Sequence, residues 1–394
     1  MADDRGTIRA IAWEQVFPSL RLFSALRMAL NFKALVLSAI AVSGTVAGWR
    51  ALAQMFADSE TPQLTTWPWD QPVAAAPVER LVSLETWQSH SPLLFAWNEL
   101  SAPFLQMFEA PNFANFTYLL CCALWSLVVW AFFGGAITRL AAVTIARQEN
   151  ASLGQLAAFL SPRLSAYVVA PLFPILGTFL MAALMAVLGL LMRSDVGVLL
   201  GSLAWPLVLL GGFMMAFLLI GLFFGFPLMW GSISAEGTDA FGALSHAYSY
   251  VYQRPLKYLL YAGMAAIIGV PGWFLVSWFA DWVLKLSEWG ITWGSGAAQW
   301  TSIQGPESMG RIADTGAAII GFWTNCVHTL AFAFIFSFFW SASTVIYFLL
   351  RRLVDATELD EIYMPDEPDQ HGLPPLKAGP DGMPVVVDGP HDGP

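Results

Sequence analysis

The sequence predicts an all-α integral membrane protein of about six transmembrane helices, with amphipathic interfacial helices and a disordered C-terminal tail. Three observations carry that prediction. Of 394 residues, 57% are hydrophobic and 12% charged, against roughly a quarter charged in an ordinary soluble domain. Apolar runs longer than the roughly 18 residues a bilayer crossing needs recur along the chain. The 18 Trp and 29 Phe suit a chain with much interfacial surface. The net charge of −10 is a poor guide to partners, because the acids gather in one loop and in the tail. No basic stripe runs along the chain, so nucleic acid is excluded as a partner. Cys121, Cys122 and Cys326 all fall inside predicted spans and follow neither a disulfide framework nor a zinc spacing.

Residues 1–33 read as a basic amphipathic arm on the membrane surface. Ile8, Ile11, Ala12 and Val16, then Leu22, Leu26 and Leu30, recur beside Arg5, Arg9, Arg21 and Arg27. The membrane domain occupies 34–353, with spans at about 34–53, 116–137, 166–192, 203–230, 258–284 and 327–350. The fourth apolar run, Val196–Trp230, is longer than the core is thick, and Pro206 and Pro227 predict a kink or tilt there. Within it Gly221 and Gly225, one turn apart, permit close approach of a neighbouring helix.

Two predicted outer loops, 54–115 and 285–318, separate the spans. The first is acidic and Pro-rich. In it Ser91-Pro92 marks a helix start, and Leu93, Leu94, Trp97, Leu100 and Phe104 give one apolar face. The expected place for that helix is the outer interface. Residues 365–394 hold eight Pro and five Gly, a composition that cannot bury enough apolar surface to order itself. Orientation follows from charge. Thirteen of the 18 Lys and Arg fall on the side of the N-terminus, which predicts that both termini are cytoplasmic in a bacterial cytoplasmic membrane.

Two polar stretches lie on that inner side. In 231–257, Thr238 or Asp239 caps a helix with Phe241, Leu244, Tyr248 and Val251 as its stripe, ended by Arg254-Pro255. In 146–167, Asn150 or Ser152 caps a helix with Leu153, Leu156, Leu160 and Leu164 as its stripe, ended by Pro162-Arg163. Leu153-Gly154-Gln155-Leu156 matches Phe241-Gly242-Ala243-Leu244, and Arg163 with Tyr167 matches Arg254 with Tyr258. Duplication of a helical hairpin and convergence on one connector design both account for this.

The pattern Ala235-Glu236-Gly237, Ala243-Leu244-Ser245, Tyr250-Val251 and Arg254 resembles a connector of bacterial polytopic proteins, among them the membrane domain attached to some glycerophosphodiester phosphodiesterases. The ending RRLVDATELDEIY resembles uncharacterised bacterial proteins of the same kind. The likeness covers about a third of the chain. It implies a structural role for the matched region and carries over no catalytic residue.

Phosphate-loop, paired-histidine and nucleophile-elbow patterns are lacking from the sequence. No catalytic, cofactor-binding or metal-binding residue is assigned, and no enzyme activity is expected. Asn325 and His328, three apart on one face of the sixth span, form a candidate polar site. Counting about twenty residues back from Arg351 sets them at the outer interface, where polar groups are ordinary. His246, Tyr248 and Arg254 are candidate interfacial or partner contacts. The expected role is a non-enzymatic scaffold or assembly component whose partners are the lipid bilayer and a second membrane protein or a second copy. The alternative is a small-solute or ion transporter using the fourth helix and the paired hairpins.

Overall fold

The computed structural model describes residues 18–56, 66–70, 91–110, 112–305, 309–364, 376–378 and 384–386. The first seventeen residues, and with them half of the predicted amphipathic arm, lie outside the described residues. Eleven α-helices carry the described main body: α1 Ser24–Ala29, α2 Phe32–Met55, α3 Pro92–Met107, α4 Phe113–Arg147, α5 Leu153–Leu160, α6 Leu164–Leu191, α7 Asp195–Glu236, α8 Ala240–Gln253, α9 Pro255–Ser295, α10 Ala297–Gln304 and α11 Arg311–Val354. A 3₁₀ turn, Pro18–Phe23, leads into α1. Six of these helices are long and apolar enough to cross a membrane, namely α2, α4, α6, α7, α9 and α11. The fold class is therefore the one the sequence predicts. The helices overrun the predicted spans, α7 reaching 42 residues and α11 44. At 1.5 Å per residue each is more than about 60 Å long, twice a hydrocarbon core.

The helix ends obey their local sequences. Asn31, Asn112, Ser152, Ser194 and Asp239 each cap the helix that follows with a side-chain oxygen, satisfying a first-turn N–H that has no intrahelical partner. Ser152 and Gln155 complete a reciprocal capping box. At the other end of α7, Gly237 adopts φ 65°, a left-handed stop that costs glycine little.

The core is centred on α11, whose residues from Ala331 to Arg351 are all buried. Trp340 stacks on Trp230 of α7, ring centroids 4.4 Å apart, and lies 6.1 Å from Trp130 of α4. Gly134 makes this possible, because a Cβ there would fall 2.8 Å from Trp230 and 2.9 Å from Trp340. Arg139, Arg163, Arg254, Lys257 and Arg351 all belong to one end of the bundle, called the basic end below.

Four expectations need correction. Leu22, Ala25, Met28 and Ala29 are buried in the core and the Ser337 hydroxyl donates to the Ala29 carbonyl at 2.8 Å. The described part of the arm is thus packed into the bundle, since its apolar face finds α9 and α11 to cover it. Helix α3 likewise enters the bundle. The Ser91 hydroxyl donates to the Ala266 carbonyl, three turns into α9, and Trp97 packs among Phe223, Phe224, Phe226 and Phe339. The predicted loop 285–318 is mostly helix, because α9 and α11 simply continue until Gly296 and Gly310, at φ 79° and 106°, break them. The predicted stripe of α8 is rotated. Ala243, Ala247, Tyr250 and Val251 are buried while Phe241 is 68% exposed, because the small alanine face lets α7 come close. A Cβ on Gly225 would lie 3.5 Å from that of Ala247, and Gly221 faces the Tyr248 ring.

Residues 363–394 form a separate unit. The disorder predicted for 365–394 falls largely outside the described residues, and six of them, Leu376–Ala378 and Pro384–Val386, pair as antiparallel strands.

Candidate functional site

The last turn of α7 reads Ser232-Ile233-Ser234-Ala235-Glu236, all but Glu236 buried. On a helix, residues four apart share a face and residues two apart point away from it. Ser232 and Glu236 therefore face one way and Ser234 the other, and a polar group has formed on each side.

Around Ser234 the Arg139 guanidinium donates to its carbonyl oxygen at 2.6 Å. Its hydroxyl lies 2.6 Å from Thr138 Oγ1 and 2.7 Å from the Tyr167 hydroxyl. The Arg139 and Arg163 guanidiniums stand 3.9 and 4.5 Å from the centroid of Phe159 on α5, offering that ring two cations. Helices α4, α5, α6 and α7 are joined at this point.

Around Glu236 the contacts are ionic. One carboxylate oxygen accepts from Arg351 Nε at 2.9 Å and from the Tyr347 hydroxyl, and the other lies 3.0 Å from His246 Nδ1. Ser232 Oγ is 3.1 Å from the same ring nitrogen and 3.2 Å from Thr238 Oγ1. Arg351 also donates to the Glu361 carbonyl at 2.7 Å, and Tyr250 donates to Asp355. His246 is held above the ordinary histidine pKa, first by its hydrogen bond to Glu236 and then by that charge, with burial opposing. Burial, with Asp355 adding, pushes the Tyr250 phenol up. With three partners on its two oxygens, Glu236 ties α7, α8 and α11 together. Among the described residues no three His, Cys, Asp or Glu side chains gather as a metal site.

A cavity of about 510 Å³ opens between α3, α4, α6 and α7, floored by Trp230 and Trp340. Its walls, such as Leu105, Leu127, Ile175 and Phe226, are carbon, which suits an acyl chain or another apolar group.

The sequence-predicted residues divide. His246 belongs to the Glu236 cluster. Tyr248 donates to the Leu218 carbonyl at 2.6 Å and lies against α7. Arg254 stands at the exposed junction of α8 and α9. Asn325 and His328 are half-buried on α11, and no hydrogen bond or ion pair joins either side chain to another described residue. Glu236 and Arg351 were missed as partners of His246, although Glu236 stands in the connector pattern and Arg351 at a predicted helix end. Their 115-residue separation hides the pairing. Comparison of the chain with protein-family models, with curated proteins and with solved structures finds no match.

Proposed function

We propose that this protein is a non-enzymatic interaction component of a bacterial inner membrane, its basic end and both termini cytoplasmic, holding a partner membrane protein or a second copy. The observation that carries this reading is the surface at the far ends of α9 and α11. Trp289 lies 32 residues past Lys257, roughly 48 Å along α9, beyond a whole bilayer of about 40–45 Å. Trp289, Ile291, Trp293 and Ile312 are 52–92% exposed there. Large apolar side chains past the headgroups meet water, and such a patch marks an interface. The test replaces Trp293 with a photo-reactive phenylalanine in native membranes. A single discrete adduct supports the reading, twice the chain's mass identifying a second copy. The absence of any protein adduct on illumination would refute it.

A small-solute or ion transporter is the second reading, favoured by α3, a 16-residue helix that begins inside the bundle. Discontinuous helices are where transporters bind their substrates. A specific flux in proteoliposomes would put this reading first.

A further inference from the structure

Helix α3 brings a carboxyl into the bundle. Glu99 lines a cavity of about 150 Å³ together with Thr45, Trp49, Ser126, Trp130 and Thr66. Thr45 stands thirteen residues from the first residue of α2, and Ser126 thirteen from that of α4. Those helices run in opposite directions, so the cavity lies about 20 Å from either helix's first residue. Glu99 is largely buried and makes no hydrogen bond or ion pair with any other described residue. A carboxyl so placed is costly and marks function more often than packing.

Three of its polar neighbours have their hydrogens engaged elsewhere. The Thr45 hydroxyl gives its proton to the Ala41 carbonyl at 2.8 Å, and Ser126 gives its own to the Cys122 carbonyl at 2.9 Å. Trp49 Nε1 is spent on Ser126 Oγ at 2.9 Å and on the Cys122 carbonyl at 3.2 Å. With their protons so used, Thr45 Oγ1 and Ser126 Oγ keep lone pairs to offer beside the Glu99 carboxyl. At the mouth, Thr66 and Pro68 flank Trp67, whose ring carries the Arg50 guanidinium 4.4 Å from its centroid and stacks on Trp69. Asp70 follows at the surface.

The geometry points to a binding site for a small monovalent cation, held by Glu99 with the Thr45 and Ser126 oxygens. A single carboxylate balances one positive charge, whereas calcium takes six to eight oxygens, commonly from several carboxylates. The volume equals about five waters at roughly 30 Å³ each, enough for an alkali ion with part of its hydration shell or for methylammonium. The site rests on neither reading above, since a scaffold and a transporter could both hold such an ion.

The experiment uses the full chain in nanodiscs in choline chloride, exchanged at constant ionic strength for sodium, potassium or methylammonium chloride. Trp49 and Trp130 line the site, so tryptophan fluorescence is the readout, with melting temperature as the second. A saturable change is expected with at least one of the three ions, kept in Asp70→Asn and abolished in Glu99→Gln. Glu99→Asp retains the charge one methylene further back and is expected to bind about tenfold more weakly. Absence of a saturable change in the unaltered protein, a change that survives Glu99→Gln, or undiminished affinity in Glu99→Asp would overturn the assignment.

Discussion

The two ends of α7 obey opposite rules. From Leu228 to Ala235 every residue is buried, and the turn ends in two polar networks that tie it to five other helices. From Val196 to Phe213 the same helix exposes Leu199, Leu203, Leu207, Leu209 and Phe213 at more than half their surface. Yet both halves are apolar. The difference teaches that hydropathy here reports the solvent a helix crosses, while protein contacts are set by small residues and polar groups. Where lipid is as apolar as leucine, packing and hydrogen bonds distinguish a neighbour from the bilayer.

The sharpest test compares Trp230→Ala with Leu207→Ala. Trp230 is 2% exposed, stacked on Trp340 and bonded through Nε1 to the Tyr167 carbonyl at 2.9 Å. Its loss is expected to cost about 3–5 kcal/mol, as for other buried aromatics. Leu207 is 71% exposed, and its truncation should stay within about 0.5 kcal/mol. Reversible unfolding in detergent measures both, and equal losses would break the comparison.

Arg351→Met probes the ionic network. It leaves the partly buried Glu236 without its permanently charged partner, and a loss of about 3 kcal/mol follows from breaking one partner of such a pair. Glu236→Gln/Arg351→Met should recover part of it. No recovery in the double variant would mean that the arginine acts by packing alone.

His246 gives the smallest effect and a direction. Its pKa is raised in the folded protein, so its contribution is full below the unfolded histidine value, about 6.5, and fades as pH rises through the folded one. The melting-temperature gap between the unaltered protein and His246→Gln should therefore be widest at mildly acid pH and shrink toward alkaline pH. A gap that grows with pH would reverse the assignment of Glu236 as its partner.

How much of this was legible in the sequence depends on the range of the interaction. The six spans follow from apolar runs, and the local sequence narrows the caps to Asn150 or Ser152 and Thr238 or Asp239, of which Ser152 and Asp239 do the capping. The site was harder. Helix α3 has sixteen residues, too few to span, and its amphipathic pattern is the same whether the polar face meets water or Glu99 meets a cavity. The buried face of α8 was misjudged because large residues were taken as the core-seeking ones, whereas alanine was chosen for closeness to α7. The pairing of Glu236 with Arg351 and His246 is set by where three helices converge, which no local pattern encodes.

The bond between Ser91 and Ala266 also has a consequence in time. The two residues are 175 apart in the chain, and Trp97 leans on Phe339, later still. At a synthesis rate of about 5–20 residues per second, α3 leaves the ribosome on the order of ten seconds or more before the helices that will enclose it. Its native surroundings do not yet exist. The cavity at Glu99, walled by Phe332 and Phe336 of α11, is consequently among the last features of the molecule to be completed, and it records whether the final helix has docked.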